Sequence, residues 1–202
     1  MPTVISCYEI PNDSEPPLAT TAARTQQLFR AVAPGTRFGY LEVAEFDDGA
    51  AALDAARTIA GGPVTALSGS YQAFHVNDRP APPFTAAGTD SPIIFINCLQ
   101  FSPDRQDAAF EAWKRVNDYM VTKPGYRWHR LHRRTHDDAP FGFVNVVEWD
   151  SAASWEAAHD AGFRALTAPR NLPFVTYPTV CAPVPDAHRP VTGQLIDSVR
   201  GA

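Results

Sequence analysis

The chain is poor in the residues that mark several large functional classes. Only three cysteines occur in 202 residues, Cys7, Cys98 and Cys181, and none forms a CxxC pair. An odd number without paired spacing argues against a disulfide framework, and reads as reduced core thiols of a cytoplasmic protein. No stretch approaches the roughly 18 apolar residues that span a bilayer. The start, MPTVISCYEIPND, lacks the basic residues and long apolar run of a signal peptide. Lys and Arg number 17 against 22 Asp and Glu, a net charge of -5, and the local cluster HRLHRR (129–134) is offset by the acidic remainder. Nucleic acid is therefore not an expected partner. The glycines of GGPVTALSG (61–69) lack both the spacing and the following helix of a phosphate-binding loop. Histidines 129, 132 and 136 make a poor metal set, because on a strand 129 and 132 point to opposite faces and no carboxylate or cysteine stands at ligand spacing.

What the chain does have is apolar bulk and aromatic rings. Hydrophobic residues make up 45% and aromatics 11%, enough to build a packed core. Two proline-rich stretches, NDRPAPPFTAAGTDSP (77–92) and APVPDAHRP (182–190), mark seams. The expected organisation is a first unit over 1–76, a linker over 77–92, a second unit over 93–185 and a tail over 186–202.

The two units resemble each other. ISCYEI (5–10) aligns with INCLQF (96–101) at an offset of 91, and FGYLEVAEFD (38–47) with FGFVNVVEWD (141–150) at an offset of 103. Pro34-Gly35 and Pro124-Gly125 match at an offset of 90. Self-similarity in this order indicates a duplication. Between the Pro-Gly and Phe-Gly anchors the second unit has YRWHRLHRRTHDDAP where the first has only Thr36 and Arg37. That insertion alternates like a strand and ends in turn residues, so the first unit is expected to lack one strand.

Periodicity in the second unit gives strand 93–101, helix 104–122, strand 126–134, strand 141–149, helix 151–166 and strand 174–182. This β-α-β-β-α-β order is the ferredoxin-like split unit, an α+β fold with helices on one face of an antiparallel sheet. The first unit reads β-α-β-α-β. Apolar residues of both parities along 141–149 require both faces of that strand to be covered. Two tandem ferredoxin-like repeats with their sheets packed face to face would do this and enclose a cavity.

FVNVVEWDSAASWEAAH (143–159) carries the unusual residues. On alternation, Asn145 and Trp149 share a strand face with Phe143 and Val147. Trp128, Arg130 and His132 share a face of the preceding strand, and Asn97 shares one with Phe95 and Leu99. Trp155, His159 and Phe163 fall at i, i+4 and i+8 of the helix. Indoles and phenyl rings around an amide, an imidazole and a guanidinium suit a flat, polar aromatic ligand. Each residue also has a structural reading: the tryptophans as core aromatics, His132 on a solvated edge, His159 as a satisfied core histidine, Asn97 in a local bond. Asn145, an amide amid an apolar strand, is the hardest to explain as structure alone.

PGYRWHRLH followed by FVNVVEW resembles the antibiotic biosynthesis monooxygenase family, small dimeric α+β barrel proteins, and within it the quinone-forming enzymes of aromatic polyketide pathways. The likeness spans roughly residues 93–182. It maps the family's turn onto Pro124-Gly125-Tyr126, its histidine onto His132, its asparagine and tryptophan onto Asn145 and Trp149, and its following aromatic onto Trp155. The family's helical arginine has Arg164 as its nearest counterpart and Arg170 as a second option. In the first unit Glu42 stands at the Asn145 position and Phe46 at the Trp149 position.

The resemblance implies oxidation of a phenolic or anthrone-type substrate to a quinone by O2, with no metal, flavin or haem. An electron-rich enolate can itself reduce O2, so the protein must take a proton, hold the oxyanion and exclude water. On this reading His132 is the base, Asn145 and Trp149 hold the oxyanion, and Trp155, His159, Trp128, Asn97 and Arg164 bind substrate. O2 is the co-substrate, no membrane is involved, and a homodimer remains open. A polyketide cyclase or isomerase on the same barrel would use the same base and donors without consuming O2. A non-catalytic ligand-binding protein would need only the cavity.

Overall fold

A computed structural model describes residues 1–14, 23–33, 36–78, 92–168 and 172–184. Eight strands close into one barrel in which every neighbouring pair is antiparallel. The first repeat supplies β1 (Pro2–Tyr8), β2 (Thr25–Ala31), β3 (Tyr40–Glu45), α1 (Gly49–Ala60) and β4 (Ala66–Asp78). The second supplies β5 (Ile93–Gln100), α2 (Gln106–Met120), β6 (Tyr126–Arg134), β7 (Phe143–Trp149), α3 (Ala152–Ala158), α4 (Ala161–Leu166) and β8 (Val175–Pro183). The fold is α+β, two tandem ferredoxin-like repeats in a single barrel.

The pairings repeat with the sequence. β1 lies between β3 and β4 as β5 lies between β7 and β8, and β2 and β6 take the outer sides of β3 and β7. Cys7 pairs with Leu41 and Cys98 with Val144, so register is preserved at the offsets of 91 and 103. The repeats join through β2–β8 and β4–β6, which leaves no strand edge unpaired among the described residues.

The expectation of a missing strand is overturned. The first repeat keeps all four strands, and among the described residues it shows no counterpart of α2. β2 is the counterpart of β6, and the connections to the next strand, residues 32–39 and 135–142, have the same length. Residues 9–24 replace the longer, α2-bearing connection 101–125. TQQLFRA buries most of its length, as a strand should. The proline-rich stretch read as linker starts late as well, since β4 runs through Asp78. Residues 79–91 and the tail 186–202 lie outside the described residues.

Two different cores follow from strand alternation. One face of each strand points into the barrel, where Ile5, Cys7, Leu41, Tyr71, Ile96, Cys98, Val144, Val146 and Cys181 pack into a solid interior. The Sγ atoms of the repeat-related Cys7 and Cys98 lie 3.6 Å apart there, and burial pushes the Cys98 thiol well up. The other face looks out at the helices. α1 covers the first repeat through Ala52 and Ala56, while α2, α3 and α4 cover the second through Trp113, Met120, Trp155 and Phe163. The barrel interior is filled, and the cavity expected between two sheets lies outside it, under the helices of the second repeat.

Candidate active site

Asn145 sits on the outward, helix-facing side of β7, directly opposite Asn97 of β5. Both line a cavity of about 620 Å³ whose walls include Phe95, Val147 and Trp149 of the sheet, Trp113, Val116 and Met120 of α2, and Trp155, His159 and Phe163 of α3 and α4. β8 contributes Thr176, Pro178 and Val180, and the β2–β3 connection of the first repeat adds Val32, Ala33 and Thr36. Three polar atoms in this apolar enclosure are buried without a hydrogen-bond partner: Asn97 Oδ1, Asn145 Oδ1 and Trp155 Nε1. Each costs on the order of 1–3 kcal/mol while it stays unpaired, which a bound polar group would relieve.

A break in the chain positions His159. The helix expected over 151–166 is two helices, because Asp160 caps the second by accepting from the Phe163 amide at 3.0 Å. At the break His159 Nδ1 takes the Trp155 carbonyl oxygen at 2.6 Å. A carbonyl only accepts, so Nδ1 carries the proton, and the nitrogen left to exchange one is Nε2. The imidazole packs between Trp155 (centroids 4.3 Å) and Phe163 (4.2 Å). Asp160 is also held by Lys123 Nζ at 2.9 Å and the Tyr119 hydroxyl at 2.7 Å, which drop its carboxyl below the usual range. Gly162 is required for this closure, since a Cβ there would meet the Tyr119 hydroxyl at 2.2 Å.

The Pro124-Gly125 turn has a comparable origin. Gly125 has φ +83°, and a Cβ would lie 2.4 Å from that of Ser154 at the start of α3. The turn delivers Tyr126 to the cavity wall, where its ring meets Trp149 edge-on at 5.2 Å.

Of the residues singled out from sequence, Asn97, Asn145, Trp149, Trp155 and His159 come together in this cavity. Three do not. His132 and Trp128 pair with Val144 and Glu148, so they face the barrel interior, on the opposite side of the sheet from Asn145. His132 is buried with Nδ1 unpartnered, and desolvation lowers its pKa to about 4. Trp128 donates its indole N–H to Glu148, which also holds Arg127 at 2.8 Å. Arg164 is exposed and donates to the His159 carbonyl oxygen at 2.7 Å, closing the end of α3. Arg170 lies outside the described residues.

The equivalent place in the first repeat is filled. Glu42, buried at the Asn145 position, accepts from Tyr8 Oη at 2.5 Å and from the Gln26 amide. Tyr8 is correspondingly raised, through burial and then the Glu42 charge.

Residues 92–162 match the family model for antibiotic biosynthesis monooxygenases. The second repeat is similar to antibiotic biosynthesis monooxygenase domains. A candidate monooxygenase from Shewanella loihica PV-4 is 28% identical, covering 46% of this chain and 94% of its own, with a TM-score of 0.41. SnoaB, a cofactor-independent oxygenase from Streptomyces nogalater, is 20% identical over 45% of this chain and 90% of its own, with a TM-score of 0.39. An anthrone oxidase-like protein is 15% identical over 96% of this chain and 94% of its own, with a TM-score of 0.64, so the whole two-repeat barrel recurs in a solved structure. No curated protein matches the chain. Among the described residues no cluster of three or more His, Cys, Asp or Glu could hold a metal, and no helix is long and apolar enough to cross a membrane.

Proposed function

We propose that this protein oxidises a flat phenolic or anthrone-type aromatic to a quinone with O2, using the substrate's own electrons in place of a cofactor's. The observation that carries the reading is the aromatic-walled cavity with its three buried, unpartnered polar atoms. Two adjacent amides offer a donor and an acceptor each, so one can accept from a phenol while the other donates to a developing oxyanion. Trp155 Nε1 supplies a further donor. His159, not His132, is the proposed base, because its Nε2 belongs to a cavity-lining ring.

The chemistry balances as CH2 plus O2 giving C=O plus H2O. His159 takes one carbon-bound proton, and the stabilised carbanion passes one electron to O2. The radical pair joins to form a C–O bond, and the peroxide takes the proton from His159. Removal of the second carbon-bound proton expels hydroxide as the O–O bond breaks, and hydroxide takes that proton to become water. The apolar walls limit the water around the peroxide stage.

An oxygen electrode with 1,8-dihydroxyanthrone and metal-stripped protein tests this. One O2 consumed per quinone formed is the expected result. No uptake above the uncatalysed rate overturns it; cyclisation of a polyketide substrate without uptake would assign the cavity to a cyclase.

A further inference from the structure

Tyr126 lines the cavity, and its hydroxyl bonds to His129 Nδ1. His129, fully buried on the helix-facing side of β6, bonds through Nε2 to His75 Nδ1 at 2.9 Å. His75 is half-buried on β4, in the other repeat. It reaches this face because the β4–β6 register shifts between Ala73 and His75. The two imidazoles stack at 5.1 Å and 12°, and Trp113 closes over both, at 5.3 Å from His75 and 5.5 Å from His129. Phe110 packs on His75, and Asp118 of α2, paired with Lys114 at 2.6 Å, is the carboxylate whose charge reaches His129.

We propose that Tyr126, His129 and His75 form a proton path from the cavity wall, through the seam between the repeats, to the protein surface. This rests on the oxygenase reading above. The chain has two self-consistent hydrogen-bond orientations. In one, Tyr126 donates to His129, His129 donates to His75, and His75 Nε2–H is the outer end. In the other every donor is reversed and the Tyr126 O–H is released from His129. Passing one proton outward converts the first into the second, and one proton inward restores it. The path takes up the second carbon-bound proton as it is removed and returns one to the expelled hydroxide, so one outward and one inward transfer per turnover leave the chain as it began. His129 is suited to pass the proton without keeping it. Desolvation and then the His75 neighbour lower its pKa to about 4, against the weaker opposing pull of Asp118.

Tyr126 meets the cavity; His129 and His75 act through it and are positioning residues. The test starts from wild-type O2 uptake with 1,8-dihydroxyanthrone, whose absence would sink the oxygenase reading by itself. Given uptake, His75→Ala is expected to lower kcat roughly 10-fold or more with KM unchanged. Millimolar imidazole should restore much of it, and the wild-type solvent deuterium effect should change in the variant. Tyr126→Phe should lower kcat without imidazole rescue. Wild-type kcat and isotope effect in His75→Ala, or a loss that imidazole leaves untouched, would overturn the path. A second measurement needs no substrate: histidine ¹⁵N shifts should show coupled tautomers, so that Tyr126→Phe alters His75 as well as His129. A His75 spectrum indifferent to Tyr126→Phe would also overturn it.

Discussion

A buried amide oxygen without a partner costs on the order of 1–3 kcal/mol, and the second repeat holds two of them opposite each other, on Asn97 and Asn145. The first-repeat counterpart of Asn145, Glu42, meets the same burial with two donors, Tyr8 and Gln26. The contrast separates function from stability at equivalent positions. Asn145→Ala removes an unpaired group, so its thermal melt should stay within a few degrees of wild type while turnover falls about 10²-fold, the usual cost of an oxyanion donor. Glu42→Ala strands two buried donors, so its melt should fall by several degrees while O2 uptake per folded molecule persists. Equal losses of turnover at both positions with unchanged melts would move the site out of the second repeat. Asn145 was legible in the sequence because an amide is out of place in FVNVVEW. Tyr126 was read only as part of the Pro-Gly turn and His75 was not singled out, because neither residue is unusual where it stands and the meeting of His75 with His129 depends on a bulge in β4.

Asp160 shows how an element boundary can set chemistry. It caps α4, anchors Lys123 and Tyr119 at the end of α2, and turns the chain so that His159 bonds the Trp155 carbonyl oxygen. Asp160→Ala should lower the melting temperature and, by freeing the imidazole, lower kcat. Its carboxyl is held low by Lys123, then Tyr119, then the Phe163 amide. The stability it contributes is therefore present above the ordinary carboxylate range and lost only as pH falls well below it, so the variant's deficit should be flat from pH 6 to 8. A deficit that shrinks across that range would mean the capping account is wrong. Helical periodicity foresaw the line of Trp155, His159 and Phe163 but not the break, since both sides keep the same spacing. β2 of the first repeat was missed for a related reason. Pro34-Gly35 follows β2 in the sequence whereas Pro124-Gly125 precedes β6, so the matched dipeptides fall in different connections. The Cys7/Cys98 and Glu42/Asn145 matches, which lie within strands, kept their register in three dimensions.

For the molecule as a whole, closing the barrel commits both faces of β6 to burial, and with them two histidines. His129 lies under the helices and His132 inside the barrel, and burial holds each near a pKa of about 4 against an ordinary value of about 6.5. Periodicity put both on one strand and on opposite faces; which of them shares the face of Asn145 is set by the β6–β7 register, with His132 against Val144, which strand alternation alone cannot fix. The depressed values give a signed expectation. Below about pH 6.5 the unfolded chain binds protons that the folded barrel refuses, so stability should fall as pH drops from about 6.5 toward 4 and stop falling on this account below that. Each group contributes a slope of up to about 1.4 kcal/mol per pH unit within the window. His132→Leu removes one of them from an apolar interior without touching the cavity. Its denaturant midpoint should depend on pH about half as steeply between 6.5 and 4, and its O2 uptake at pH 7 should stay within a few-fold of wild type. An unchanged slope would mean that His132 is charged inside the barrel or reaches water. A collapse of turnover with the fold intact would return the base to His132, despite the sheet between it and Asn145.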